Sequence, residues 1–212
     1  MWIASGIFET VSEEKDLGVM VRNDLKVFRQ CIKVVQTANQ VLGMIKRTIT
    51  HKTKDNLLHL YKSLVRPHLE YCLQVWRPYL KKDIDLLEGV QRRTTKMILG
   101  WDKRCYQERW DLFNLQTLEV RGLRGDLIQV FKLLKGLDNV SLKIVFVIDS
   151  NNSRRGHNLK MLKPRARLDI RLHSFSHIVV NYWNKLPVDV VNCQSLDAFK
   201  YKLCRYLSSN SG

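Results

Sequence analysis

A mainly α-helical fold is what this sequence predicts: a helical bundle, with a few short strands in an α+β C-terminal part. Three observations predict it. Apolar residues recur at helical spacing over several long stretches. Capping and stop residues bound those stretches, with Thr53, Thr117 and Ser195 at starts and Gly100 and Gly136 at ends. Runs with strand character, "DLGVMV" at 16–21 and "IVFVID" at 144–149, are few and short.

The elements follow in order. Residues up to Glu14 show no helical period and read as an irregular lead-in. The run 16–21 is apolar between charges and predicts a strand, yet no strong partner lies near it, so it reads as an orphan. Over 27–49 the stripe is Val27, Cys31, Val34, Val35, Ala38, Val41, Leu42 and Ile45, the mark of a long amphipathic helix. A second helix begins after Thr53 and carries its stripe through Leu57, Tyr61, Val65 and Leu69 to Leu73. Pro67 has no N–H for the preceding turn, so it either kinks this helix or splits it. A third runs over 81–99. Asp83, Asp85 and Glu88 lie toward its start and Arg92, Arg93 and Lys96 toward its end, as the helix dipole favours.

Shorter signals follow. Residues 106–113 predict a short helix, and 117–135 a longer one with Leu118, Leu123, Leu127, Phe131 and Leu134 on one face. A strand is expected over 144–149, a polar loop over 150–158 and a second strand around 166–170. Helices are expected over 174–183 and 195–207. The chain is thereby divided into a lead-in with its strand (1–21), a helical domain (22–139) and a basic C-terminal subdomain (140–212).

The charge is large and uneven. Of 212 residues, 36 are Lys or Arg and 20 are Asp or Glu, a net of +16. Residues 22–109 carry 19 positive and 8 negative groups, and 150–212 carry 11 and 3, while 110–149 balance at 5 and 5. Blocks of positive charge fit a polyanionic partner, whose condensed counterions are released on binding; a solvated basic surface is the competing reading. The five cysteines are odd in number and widely spaced, with no zinc spacing, so they read as free thiols of a reducing compartment. No signal-peptide pattern follows Met1, and the longest purely apolar run, 144–148, is too short for a bilayer. An intracellular protein without a membrane partner is expected, with nucleus and cytoplasm both open.

No catalytic motif is present: no P-loop, Gly-x-Gly-x-x-Gly, Gly-x-Ser-x-Gly or His-Glu-x-x-His. Asp83 and Asp85 are two apart on a helix and point away from each other, so they read as helix-start acids rather than a metal pair. His173 and His177 are four apart but lack a third ligand nearby. No catalytic residue, metal site, cofactor or small-molecule substrate is therefore expected. Basic residues interleaved with aromatics carry more. Arg66, Tyr71, Trp76, Arg77 and Tyr79 fall together, where cations could meet phosphate and rings could stack on bases; Tyr71 and Trp76 suit anchors between helices better than base platforms. Arg92, Arg93 and Lys96 fit phosphate contacts or a solvated helix end. Arg154, Arg155 and His157 sit in a Gly-containing loop of exposed type, a good place for ligand contacts.

Several stretches occur in a fixed order: "EEKDLGVMV", "LYKSLVRPHLEYCLQVWRP", "LEGVQRRTTKMILG", "YQERW", "LEVRGLRGDLIQVFKLLKG", "RRGHNLKM" and "FSHIVVNYWNKLPVDVV" followed by "SLDAFKYKL". Together they resemble the C-terminal part of the protein encoded by non-LTR retrotransposons (LINE elements) of the jockey-like kind, over nearly the whole chain. The resemblance implies the last sheet strand, the helical thumb and the distal region of a reverse transcriptase, an RNA-directed DNA polymerase. That family's catalytic Ala-Asp-Asp motif lies in the palm, and this sequence has no Asp-Asp pair, so polymerisation by this chain alone is not expected. The orphan strand is then explained by an absent palm. Gly122 and Ile178 stand where the family pattern has Arg, and Trp110 where it has an aliphatic residue.

The resemblance thus implies a truncated, non-catalytic thumb-like fragment that binds RNA or an RNA–DNA hybrid through its backbone. Arg66, Arg77, Arg92, Arg93, Lys96, Arg154, Arg155 and His157 are the candidate contacts. Two alternatives stay open: the chain is part of a longer active reverse transcriptase, or it is a helical scaffold for protein partners.

Overall fold

The computed structural model describes residues 11–100, 103–149 and 156–209. It is mainly helical with two small two-stranded sheets, the expected fold class. The lead-in to residue 10 lies outside the described residues.

The expected orphan strand is instead half of a hairpin. Strands β1 (Glu13–Asp16) and β2 (Val19–Arg22) pair antiparallel, with Glu13 opposite Arg22 and Asp16 opposite Val19. Between them Leu17 and Gly18 both take positive φ (43° and 87°), the two-residue turn whose twist matches a hairpin. The apolar run 16–21 therefore contains a reversal, and its partner is the charged stretch just before it. β1 has no hydrophobic pattern to announce it. Val19 packs into a core, and the Met20 N–H donates to Gln30 Oε1 at 2.9 Å, which covers part of the outer edge of β2.

Helix α1 (Phe28–Thr48) buries Cys31, Val34, Val35, Ala38, Leu42 and Ile45, as its stripe requires. Thr53 caps α2 (Lys54–Leu60), its hydroxyl accepting from the Asn56 N–H at 3.3 Å. Helical structure continues through Pro67. A π-helical turn, Tyr61–Val65, precedes it and leads into α3 (Arg66–Glu70). The wider turn accommodates the missing N–H and ring of the proline, and it aims Tyr61 into the interior. The rod ends one turn earlier than the stripe suggests. Cys72 takes φ 52°, so α4 (Leu73–Trp76) is a separate turn. Its Trp76 is buried and donates from Nε1 to the Tyr71 carbonyl at 2.8 Å. Tyr71 itself is exposed, and its hydroxyl donates to the Leu17 carbonyl.

Helices α5 (Lys81–Leu99) and α6 (Tyr106–Leu112) fall where the periodicity puts them. So does α7 (Leu118–Leu134), whose Thr117 cap accepts from the Val120 N–H. Gly100 and Gly136 end α5 and α7 with φ 66° and 63°. Beyond α7 the chain departs further from its local pattern. Residues Leu142–Val145 form a helical turn, α8, which leaves only β3 (Val147–Ile148) of the expected strand; it pairs with β4 (Met161–Leu162). No strand forms at 166–170, where α9 (Asp169–Leu172) begins. Then come α10 (Phe175–Trp183), α11 (Val188–Val191) and α12 (Leu196–Ser209), the last capped by Ser195.

Two hydrophobic cores result. The first holds Val19 and the faces of α1 to α5 and ends at Leu118; the second starts at Leu123 and holds α10 to α12. The division therefore falls inside α7 rather than near residue 140. α7 packs mainly on α12 and α10, with Phe131 stacked on Phe199 at 4.2 Å and Trp183 beside it.

Candidate nucleic-acid interface

Helices α1 and α5 pack against each other and start together, because Lys82 Nζ sits 5.2 Å from the Phe28 ring centroid. Each is about 30 Å long at 1.5 Å per residue, so their C-terminal ends lie at the same end of the bundle. The α1–α2 joint lies at the same pole, since α2 returns along α5 and the Tyr61 hydroxyl donates to Gln91 Oε1 at 2.8 Å. Exposed there are Arg92, Arg93 and Lys96 of α5, Lys46 and Arg47 from the last turn of α1, and Lys52 and Lys54 of the joint. Among the described residues the carboxylates near these seven cations are Asp55 and, from toward the start of α5, Asp85, which lies 3.7 Å from Arg92. Arg93 and Lys96 form no ion pair among the described residues. The sequence does not single out Lys46, Arg47, Lys52 and Lys54. Basic last turns are visible in it, but the parallel packing that joins two of them is not.

A buried polar network stands behind this pole. The Tyr106 hydroxyl donates to Glu88 Oε1, Gln91 Nε2 donates to the Gln116 carbonyl at 3.2 Å, and Glu88 Oε2 accepts the Leu118 N–H at 3.0 Å. Glu88 thus caps α7 from a neighbouring helix. Burial and the nearby Glu88 carboxylate push the Tyr61 and Tyr106 phenols well above their ordinary range, so both stay protonated donors. The outer face of Tyr106 carries Arg92 at 5.1 Å and Arg109 at 5.8 Å. One ring therefore ties the interior to the exposed guanidinium of Arg92.

Other expected contacts lie elsewhere. Arg77 is largely buried and paired with Asp126, and its Nη2 donates to the Glu119 carbonyl at 3.1 Å. Arg66 is 3.7 Å from Glu70, which also takes Arg121 in a two-pronged pair with Nη2 at 2.9 Å. Arg77 and Arg121 fasten α4 and α3 to α7 while Arg66 pairs within α3, and the charge of all three is spent on carboxylates rather than presented to solvent. Burial pushes the Asp126 carboxyl up to about 6 even though Arg77 pulls it down. Gly122 faces this seam, where a Cβ would already meet Leu73 and Arg77 at 3.5 and 3.6 Å.

His157 is a correction. It is only 3% exposed, and its Nε2 donates to the Trp183 carbonyl at 3.0 Å. Burial lowers its pKa, so it is a neutral packing residue beneath the loop rather than a contact on it. Arg154 and Arg155 lie outside the described residues. The two other histidines diverge: His173 stacks on Tyr79 at 4.3 Å, while buried His177 donates to the Pro164 carbonyl. Asp83 is buried and Asp85 exposed, as their spacing requires. Among the described residues no three His, Cys, Asp or Glu side chains converge as a metal site would need, and no helix is long and apolar enough to cross a membrane.

Comparison with family models, curated proteins and solved structures returns no match for this chain.

Proposed function

We propose that this chain binds RNA or an RNA–DNA hybrid through the phosphate backbone, as a non-catalytic fragment resembling the thumb and distal region of a LINE-type reverse transcriptase. One observation supports this most: exposed cations from α1, the α1–α2 joint and α5 gather at one pole, with few carboxylates among the described residues there. Cations so placed neutralise phosphates without reading bases. The ordered sequence motifs supply the polymer class, and the missing Asp-Asp pair supplies the lack of catalysis.

The test is fluorescence anisotropy of the purified chain with labelled RNA–DNA hybrid, single-stranded RNA and duplex DNA across a salt series. Log affinity should fall steeply with log salt, and an RNA-containing ligand should bind tightest. Replacing Arg92, Arg93 and Lys96 together by Ala should flatten the slope by about 2 to 3, close to one for each phosphate that is no longer neutralised. Salt-independent binding, or a slope unchanged in the triple variant, would defeat the proposal.

A further inference from the structure

A cleft of about 370 Å³ opens at the opposite end of α1 from the basic pole. Strand β2 and the turn after it form one side, α4 another, and α9 with the start of α10 the third. Both cores contribute to it. Buried Val19 and Trp76 lie in its floor. Its lip is aliphatic and open to water, with Val21, Leu25, Val75 and Ile170 exposed by 39, 56, 70 and 44%. Leu25 is held at φ 53°, a conformation a leucine rarely adopts, in the turn that carries it on the lip. Grouped exposed aliphatics with a polar rim mark an interaction surface rather than ordinary surface scatter.

The rim selects the partner. Among the described residues no carboxylate lines the cleft. Arg22 and Lys26, which do, share the single Asp24 at 3.4 and 3.9 Å. The chain that supplies Ile170 exposes Lys163, Arg165, Arg167 and Arg171 against Asp169 alone. An apolar trough in a cationic frame suits apolar side chains flanked by Asp or Glu. Unpaired bases suit it less. Of its rings, Tyr79 and His173 are stacked on each other at an interplanar angle of 6°, Trp76 is buried in the floor and Phe175 packs edge-on to Phe146, while the exposed lip offers branched aliphatics.

We infer that this cleft docks an acidic, apolar-centred segment of a partner protein. The site lies about 30 Å from the phosphate-facing pole, the length of α1, so the two can be broken separately.

The experiment uses the full chain and a fluorescein-labelled peptide, Asp-Glu-Leu-Phe-Glu-Leu-Asp-Asp, followed by anisotropy. A control peptide replaces every acidic residue by Lys, and a labelled oligouridylate is the third probe. Val75→Glu and Ile170→Glu sit on exposed positions and should leave the circular dichroism spectrum unchanged. The acidic peptide should bind, each substitution should weaken it by at least about tenfold, and the alanine triple variant of the pole should not weaken it comparably. Absence of peptide binding, equal binding of the Lys peptide, or binding indifferent to both substitutions overturns the inference. Loss of oligouridylate binding in Val75→Glu with the peptide unaffected would assign the cleft to nucleic acid instead.

Discussion

Asp126→Asn is the substitution with the most definite signature. Asp126 is buried against Arg77 in the seam between α4 and α7, with one carboxylate oxygen left without a hydrogen bond. Its carboxyl moves from the ordinary 3.8 to about 6, burial being the larger cause and Arg77 the opposing one. A group that holds its proton more tightly in the folded chain stabilises the fold while protonated. Stability should therefore fall as pH rises from about 4 through about 6, and be flat in this respect above that. At about 1.4 kcal/mol per tenfold change in proton affinity, the full effect is about 3 kcal/mol. Asparagine keeps the shape and removes the titration. The assay is urea denaturation of both proteins at half-unit pH steps. The stability of the variant minus that of the wild type should grow by about 3 kcal/mol across that window. The converse change, Arg77→Met, strands the carboxylate and should cost about 3 to 5 kcal/mol at pH 7. A difference between Asn variant and wild type that is flat from pH 4 to 7, or that shrinks with rising pH, would contradict this account of Asp126.

Three further outcomes are expected. Tyr106→Phe removes a donor from buried Glu88 and should cost about 1 to 3 kcal/mol in urea denaturation. It should leave the cation–π partner of Arg92 in place. Trp183→Ala empties the centre of the second core, where the indole is fully buried and bonds the Leu159 carbonyl, and should cost about 3 to 5 kcal/mol by thermal unfolding. Gly18→Ala meets open enough space, with Tyr71 at 3.5 Å, but must hold φ 87°. It should cost about 1 to 2 kcal/mol and loosen the hairpin, read as faster amide exchange at Met20 and Val21.

Local signals in the chain suffice for several of the helices. The bounds of α5 and α7 and the caps Thr53, Thr117 and Ser195 follow from periodicity and from side chains that reach only their own backbone. Three features needed the folded molecule. The run 16–21 turns back on itself, which the sequence conceals because β1 is polar and Gly18 can be read as a strand glycine. The boundary between cores falls inside α7, because one helix has two ends and each can pack elsewhere. The cations are sorted only by packing. Arg77 and Arg93 look alike in sequence, but one meets Asp126 from 49 residues away and the other is exposed with no ion pair among the described residues. A charge is spent or free according to which distant carboxylate folding brings to it, and no local pattern encodes that distance.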